Sequence, residues 1–179
     1  MTRRSHLISG CAAGAAGMSA YLSHCAETGA WTGVPDRKSI AVAAIAGALY
    51  VAGLTLPDID QNKTVRKAIG HRTWTHSVWP VLAILWLAKA LFLPLAGLAA
   101  GMYVHILMDA FSVCGVAWLY PFTGYRKYPG GATVKKGTHV FRLYRVGDRS
   151  EQRMLIGTVA VCIAAAVAVW IPTVLHGRG

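Results

Sequence analysis

Five long apolar stretches run along the chain and are separated by shorter polar segments. They cover residues 7–23, 40–56, 78–93, 95–111 and 154–175. A helix needs roughly 20 mostly apolar residues to cross a bilayer. The pattern therefore predicts an all-α fold, a polytopic bundle of about five transmembrane helices that forms a single membrane domain over residues 1–179.

Two features refine this prediction. In the first stretch Gly10 and Gly14 have the spacing that lets a second helix backbone approach closely. Pro94 interrupts the apolar run between the third and fourth stretches, which favours a tight helical hairpin over one very long helix. The polar segment 113–152 is rich in aromatic and then basic residues. We expect it to form an extramembrane interfacial loop with a short irregular or β-like structure on the cytoplasmic side.

Composition excludes an ordinary soluble domain. Of the 179 residues 55% are hydrophobic and only 14% are charged, whereas about a quarter of the residues of a typical soluble domain are charged. The formal charge of +11 indicates contact with anionic lipid headgroups, with nucleic acid as a weaker alternative. The four cysteines form no CxxC pair, so neither a disulfide framework nor a thiolate zinc site is indicated.

The basic residues also orient the bundle. If the chain crosses five times, fourteen of the 18 lysines and arginines lie on the side of the N-terminus. The other side holds Arg37, Lys38, Lys89 and Arg178. Because cytoplasmic loops are enriched in Lys and Arg, we predict a multi-pass protein of the cell inner membrane, with a cytoplasmic N-terminus and an external C-terminus.

Histidines and acids fall near the predicted cytoplasmic ends of these helices, although orientation was assigned from lysine and arginine alone. They are His6, Asp58, Asp60, His71, His76, His105, Asp109 and Glu151. His105 and Asp109 are four residues apart, so they share a helix face and can bind one ion. The Asp58 and Asp60 side chains point the same way if their segment is extended. We place His71 in a loop and His76 on the first turn of the third span.

These residues suit a divalent metal. Asp58, Asp60 and Asp109 lie at or near predicted helix C-termini, where the macrodipole disfavours negative charge by up to about 1 kcal/mol. A bound cation would offset that cost. Imidazole and carboxylate ligands suit Zn²⁺, which we expect first, or Mn²⁺ or Fe²⁺. The seven candidate ligands, all those above except Glu151, exceed the four of one tetrahedral site, so we expect one or two ions.

Each residue taken alone has a simpler explanation. His105 or Asp109 could form a helix–helix hydrogen bond, and the aspartate pair could be a turn after Pro57. His76 could help to cap a helix, and Glu151 could be a solvated acid at a helix N-terminus. The joint placement of these residues at one membrane face favours a metal site over this set of separate explanations.

The same motifs carry a family resemblance. In order they are His6 before a Gly/Ala-rich helix, Asp-Ile-Asp at 58–60, His-Arg-x-x-x-His-Ser at 71–77, Gly-Met-Tyr-Val-His-Ile-Leu-Met-Asp at 101–109 and Gly-Val-Ala-Trp-Leu-Tyr-Pro-Phe at 115–122. In this combination the chain resembles the YdjM-like family of predicted membrane-bound, metal-dependent hydrolases. The resemblance covers most of residues 1–122 and is weaker around Glu151. It implies a multi-pass helical protein with a divalent-metal site, acting as a hydrolase on phospholipids.

The leading hypothesis is a phospholipase-like phosphoester hydrolase that acts on a lipid or lipid-linked phosphate at the cytoplasmic face. The histidines and aspartates would bind the metal. Arg72 would bind a phosphate oxygen bidentately, and Glu151 would assist proton transfer. The basic residues of segment 126–153 would concentrate anionic lipid, or would simply reflect positive-inside topology.

Two other classes remain open. A metal sensor or transporter would bind the ion without catalysis, although transporters usually place their site near the bilayer midplane. A membrane-tethered protein could instead bind nucleic acid or another protein through residues 126–153. In that case the metal would be purely structural.

Overall fold

Helices make up most of the described residues in the structure, a computed structural model that describes residues 1–28, 37–70, 72–122, 125–127, 133–135 and 142–176. Among these residues there are six α-helices: α1 (Arg3–Glu27), α2 (Arg37–Gly53), α3 (Lys63–Ile69), α4 (Val78–Ala90), α5 (Leu95–Ala110) and α6 (Arg149–His176). Two 3₁₀ helices, Leu56–Gln61 and Trp74–His76, flank α3. A short antiparallel ladder pairs β1 (Tyr125–Lys127) with β2 (Thr133–Lys135).

The five predicted apolar stretches correspond to the five long helices α1, α2, α4, α5 and α6. Local signals set several of their ends. Thr2 caps α1 by accepting a hydrogen bond from the Ser5 N–H at 3.3 Å. Pro94 stands immediately before α5, because proline is tolerated at a helix start but not in a helix interior. The chain therefore turns between Ala90 and Leu95, and α4 and α5 form the predicted hairpin.

Contacts between helices fix their relative directions. A Cβ atom at Gly10 of α1 would meet Leu54, which follows α2, whereas one at Gly14 would meet Tyr50 of α2, so α1 and α2 are antiparallel. The Tyr50 hydroxyl also donates to the Gly10 carbonyl at 2.7 Å. The Thr2 N–H donates to Glu151 at the starts of α1 and α6, and Ser23 donates to the Val169 carbonyl near their ends, so these two helices run in parallel. The α5 helix runs parallel to α2 along a close contact described next.

A set of glycines brings α2 and α5 together. A Cβ atom at Gly97 would collide with the Ala46 carbonyl oxygen, and one at Gly101 would collide with the Tyr50 carbonyl oxygen. Backbone atoms cannot move aside as a flexible side chain can, so the contact requires glycine at both positions. The consequence is that the end of α2 meets the end of α5. The starts of α1, α4 and α6 lie at the same end of the bundle.

Polar residues are buried at this end, whereas apolar residues face outward elsewhere. In the most apolar window of residues 149–169 none of the residues is buried, and large side chains such as Ile156 and Val161 are more than two-thirds exposed. Such an exterior fits lipid rather than water. Two segments, Arg37–Gln61 and Arg149–Val169, are long and apolar enough to cross a membrane, while α4 and α5 are shorter apolar helices. The prediction of five crossings thus goes further than these two candidate spans.

The segment that was predicted to form an interfacial loop, residues 113–152, packs partly against the bundle. The Leu143 N–H donates to the Phe111 carbonyl and the Val113 N–H donates to the Tyr144 carbonyl, both at 2.9 Å. Its last residues, 149–152, form the first turn of α6 rather than loop. Residues 123–124, 128–132 and 136–141 lie outside the described residues, and the cytoplasmic position of the segment stays a prediction.

Gly101→Ala should destabilise the bundle by about 1–3 kcal/mol, because the new methyl group overlaps backbone of α2. The matched control is Gly47→Ala in α2, where nothing lies within 4 Å of the new Cβ. It should gain about 0.5–1 kcal/mol from helix propensity. Thermal unfolding in detergent, followed by circular dichroism, measures both. Equal stability of the two variants would contradict the close contact.

Candidate metal centre

Asp109, in the last turn of α5, is fully buried. It belongs to a polar cluster formed by His6, Asp58, Arg72, His76, His105 and Asp109. Its Oδ1 lies 2.6 Å from the α-amino group of Met1 and 3.2 Å from His6 Nε2. Its Oδ2 lies 2.9 Å from Arg72 Nη2 and 3.4 Å from His76 Nε2. Cationic or basic groups from two separate segments, residues 1–6 and 72–76, therefore converge on one carboxylate.

His105, one turn earlier on α5, presents a lone pair to this cluster. Its Nδ1 lies 2.7 Å from the Leu54 carbonyl oxygen, and a carbonyl can only accept, so Nδ1 carries the hydrogen. Leu54 directly follows α2, where carbonyl groups lack a partner within the helix. The other nitrogen, Nε2, lies 3.3 Å from His76 Nε2 and 3.9 Å from Asp109 Oδ2. This arrangement points the His105 lone pair at the other ligand candidates.

His6 and Asp58 also lie next to His105. The His6 ring stacks on the His105 ring with centroids 3.8 Å apart. Asp58 Oδ1 lies 3.7 Å from His105 Nε2. His6 Nδ1 and Asp58 Oδ2 are buried and make no hydrogen bond with the described residues. Buried polar atoms without a partner are costly and call for an explanation, for which a bound ion is one candidate.

The donor atoms fit a divalent ion. Two groups, His6–Asp58–His105 and His76–His105–Asp109, each bring three ligand atoms within 4.8 Å of one another, and they share His105. With Zn–N bonds of about 2.0–2.1 Å, tetrahedral ligand atoms lie about 3.3–3.4 Å apart. The observed separation of the His76 and His105 Nε2 atoms is 3.3 Å. The chemistry of the donors and this spacing agree, so the residues fit a metal.

The carboxylates of the cluster favour the protonated forms of the side chains beside them. Burial alone lowers the pKa of His76, but the hydrogen bonds and charges of Asp109 and Asp60 raise it more, and the net shift is upward. The same balance holds for Arg72: burial lowers its pKa, while the Asp109 charge raises it. Positive charge is therefore stabilised at this point of the protein despite its burial.

Asp60 does not join the two ligand groups, and the expectation that it points the same way as Asp58 was wrong. Residues 56–61 form a 3₁₀ helix, not an extended segment, so side chains two apart diverge by about 120°. Asp58 faces His105. Asp60 is fully buried and its Oδ2 accepts hydrogen bonds from the Arg72 N–H at 2.8 Å and the Thr75 hydroxyl at 2.7 Å.

Arg72, the predicted phosphate contact, is used within the protein. Its Nη2 pairs with Asp109, and its Nη1 donates to the Ser112 hydroxyl at 3.2 Å and the Gly115 carbonyl at 3.4 Å. The residue has a positive φ of 54°, uncommon for a residue with a side chain. The hydrogen bond from its N–H to Asp60 helps to hold that conformation.

Glu151, the predicted proton-transfer residue, lies in the first turn of α6 and contacts the start of α1. Its carboxylate accepts hydrogen bonds from the Thr2 and Gly147 N–H groups, each at 2.6 Å. Within the described part of the chain neither of its oxygens contacts a histidine of the cluster. Its contacts join two helix starts.

The remaining histidines lie in different parts of the chain, and one of them, His176, is the last residue of α6. His76 ends the second 3₁₀ helix and precedes α4, so its predicted place on the first turn of that helix was wrong. His71, a predicted ligand, and His139 lie outside the described residues. His24 is exposed on α1, away from the cluster.

Sequence reasoning missed several groups that hold the cluster together. Ser112, three residues after Asp109, donates to the Asp109 carbonyl at 2.7 Å. This three-residue spacing could have predicted the contact from the sequence. Tyr144 gave no such signal, because it lies 35 positions further along the chain in a basic segment. Its hydroxyl donates to the Met108 carbonyl at 2.8 Å and accepts from the Met1 amine at 3.1 Å. Burial raises the pKa of this phenol.

Comparison with known proteins places the chain in a family. It matches the family described as YdjM inner membrane protein over residues 1–175. The chain belongs to this family. It is also 35% identical over 107 residues to a Bacillus subtilis (strain 168) protein described as uncharacterized protein YvsG, covering 56% of this chain and 58% of that protein. The chain thus matches less than two thirds of this relative's length. No solved structure matches the chain.

Family membership confirms the resemblance drawn from the motifs and identifies the chain as one of a family of inner membrane proteins. The matched range contains every described member of the polar cluster, from His6 to Asp109. The exposed apolar faces of α2 and α6 are consistent with that location.

Zn²⁺ should stabilise the folded protein, because an ion that binds only the folded cluster shifts the unfolding equilibrium. At a free concentration one hundred times Kd the gain is about 2.7 kcal/mol. Thermal unfolding of chelator-treated protein, with and without Zn²⁺, measures the effect. His105→Gln should abolish it because His105 belongs to both ligand groups, whereas His24→Gln should retain it. Equal stabilisation of both variants would contradict the centre.

Proposed function

We propose that the protein is a metal-dependent phosphoester hydrolase that acts on a lipid or lipid-linked phosphate at the cytoplasmic face of the inner membrane. The observation that carries the proposal is the meeting of His76 Nε2, His105 Nε2 and Asp109 Oδ2 within 3.9 Å at one end of the bundle. Two imidazoles and a carboxylate form a ligand set common in hydrolytic metal sites.

The residues of the cluster have different roles in this proposal. His76, His105 and Asp109 would hold one divalent ion, and His6 and Asp58 would complete that site or form a second one with His105. When bound, such an ion lowers the pKa of water towards 7 and polarises a phosphoryl oxygen. Arg72 lies beside the same carboxylate and supplies the positive charge that a phosphoryl group would meet there.

The choice of a lipid-linked substrate follows from where the cluster lies. The helix faces away from it are apolar and exposed, as lipid contact requires, while the polar residues are gathered at one end. Asp58 is the cluster carboxylate with the most exposed side chain, at 9%, and so marks the edge through which a headgroup would enter. The positive charge of the chain, +11, favours anionic lipids over neutral ones.

We leave Glu151 out of the reaction. Its carboxylate accepts two short hydrogen bonds from backbone N–H groups, which ties it to the start of α1 and to Gly147. In our proposal it holds α1 against α6, and the cluster depends on it only through the position of His6.

A second function, metal sensing without catalysis, is favoured by one observation. His6, His76, His105 and Asp109 are each at most 1% exposed, and a site of this kind releases or binds an ion more readily than it admits a lipid headgroup. Transport is less consistent with the structure, because the ligands lie at helix ends and not on broken helices.

A measurement of turnover distinguishes the hydrolase from the metal sensor. The protein purified in detergent and supplied with Zn²⁺ or Mn²⁺ should hydrolyse a chromogenic phosphodiester, or a fluorescent phospholipid in mixed micelles. Asp109→Asn should lose at least about a hundredfold in kcat/KM, because removing a ligand typically removes most of the metal's contribution. Phosphate or phosphoester release measures the rate, and bound metal is determined on the same samples.

The control is His24→Gln, which should match the wild type in metal content and rate. Metal and turnover that are lost together in Asp109→Asn support the hydrolase. Stoichiometric metal in the wild type without turnover on phosphodiester, phosphomonoester or phospholipid substrates would overturn the hydrolase and support the sensor.

A further inference from the structure

We propose that Asp60 is a positioning residue: it keeps the proton of His76 on Nδ1 and so turns the Nε2 lone pair of that ring into the cluster. The inference rests on the proposed metal function and adds to it. It replaces the sequence-based interpretation of Asp60 as a ligand with a role that acts through His76. The two residues are brought together by different elements, since Asp60 lies on the first 3₁₀ helix and His76 ends the second.

The proton position follows from the hydrogen bonds around Asp60. An ionised carboxylate can only accept, so the Thr75 hydroxyl, 2.7 Å from Asp60 Oδ2, must donate its single hydrogen there. The Thr75 oxygen is then an acceptor toward His76 Nδ1, which lies 3.0 Å away. Asp60 Oδ2 is itself 3.2 Å from the same nitrogen. Both of these described neighbours of Nδ1 therefore accept, and Nδ1 carries a hydrogen.

His76 and His105 thus both carry a hydrogen on Nδ1, and each donates it to a different kind of acceptor. The acceptor for His105 is a neutral backbone carbonyl, Leu54 O, whereas the acceptor for His76 is a carboxylate. A carboxylate hydrogen-bonded to the far nitrogen of a ligating imidazole raises its basicity as a ligand, and loss of such a partner typically weakens metal binding by about 10–100-fold. Asp60 should therefore influence the affinity of the centre without touching the ion.

Asp60 also anchors the segment that delivers His76. The same Oδ2 accepts from the N–H of Arg72, the residue with positive φ, so one oxygen holds both ends of residues 72–76. Three donors to one buried oxygen explain why an acidic residue is buried at this position. A purely structural anchor, however, needs only an acceptor, whereas the proposed role also needs the negative charge.

Asp60→Asn separates the charge from the hydrogen bonds, because the amide oxygen can accept from the same three donors. Zn²⁺ affinity, measured by competition with a chromogenic chelator, should fall by about 10-fold or more. The control is Asp148→Asn, which removes one negative charge from an exposed residue before α6 and should leave the affinity within about twofold. Unchanged affinity in Asp60→Asn, with the fold intact by circular dichroism, would overturn the inference.

A second measurement needs no variant of Asp60. The ¹⁵N chemical shifts of labelled histidine distinguish protonated from bare ring nitrogens, and His76→Gln identifies the His76 signals. In metal-free wild-type protein Nδ1 of His76 should carry a hydrogen, whether or not Nε2 also does. A bare Nδ1 would overturn the inference even if metal binds. If wild-type protein binds no metal while Nδ1 is protonated, the proposed function fails and the orienting role of Asp60 stands.

Discussion

The structure depends on pairing one buried carboxylate, that of Asp109, with positive charge. Asp109 is fully enclosed among apolar helices, where an unpaired negative charge would cost several kcal/mol. The protein meets that requirement with Arg72, the Met1 amine and two imidazoles, and it leaves one face of the arrangement lined by lone pairs. A divalent cation would be held through these lone pairs. The fold serves mainly to bring these groups to one point.

The helices achieve this through backbone contact more than through side-chain packing. Gly97 and Gly101 let α5 lie directly against α2, which sets Leu54 opposite His105. Because Leu54 follows the end of α2, its carbonyl is free to accept the imidazole hydrogen. The same contact would be lost if either glycine gained a side chain. The interface between α2 and α5 thus packs the two helices closely and also fixes the proton position of His105, a candidate ligand.

Much of this was predictable from sequence. The apolar pattern predicted the five long helices, Pro94 predicted the hairpin, and the four-residue spacing of His105 and Asp109 predicted a shared face, since these signals are local. The segment 56–61 was misjudged because Pro57 starts a 3₁₀ helix where an extended exit was assumed, and the two aspartates then diverge. The pairing of Arg72 and the role of Tyr144 depend on contacts distant in sequence, which spacing cannot show.

X-ray absorption at the zinc edge, on purified protein loaded with one equivalent of Zn²⁺, identifies the atoms that surround the ion. We expect a nearest shell made only of nitrogen and oxygen at about 2.0–2.1 Å, with the multiple-scattering features of at least two imidazoles. Cysteine sulfur at about 2.3 Å, or a shell without imidazole, would place the ion elsewhere and contradict a centre built from His76, His105 and Asp109.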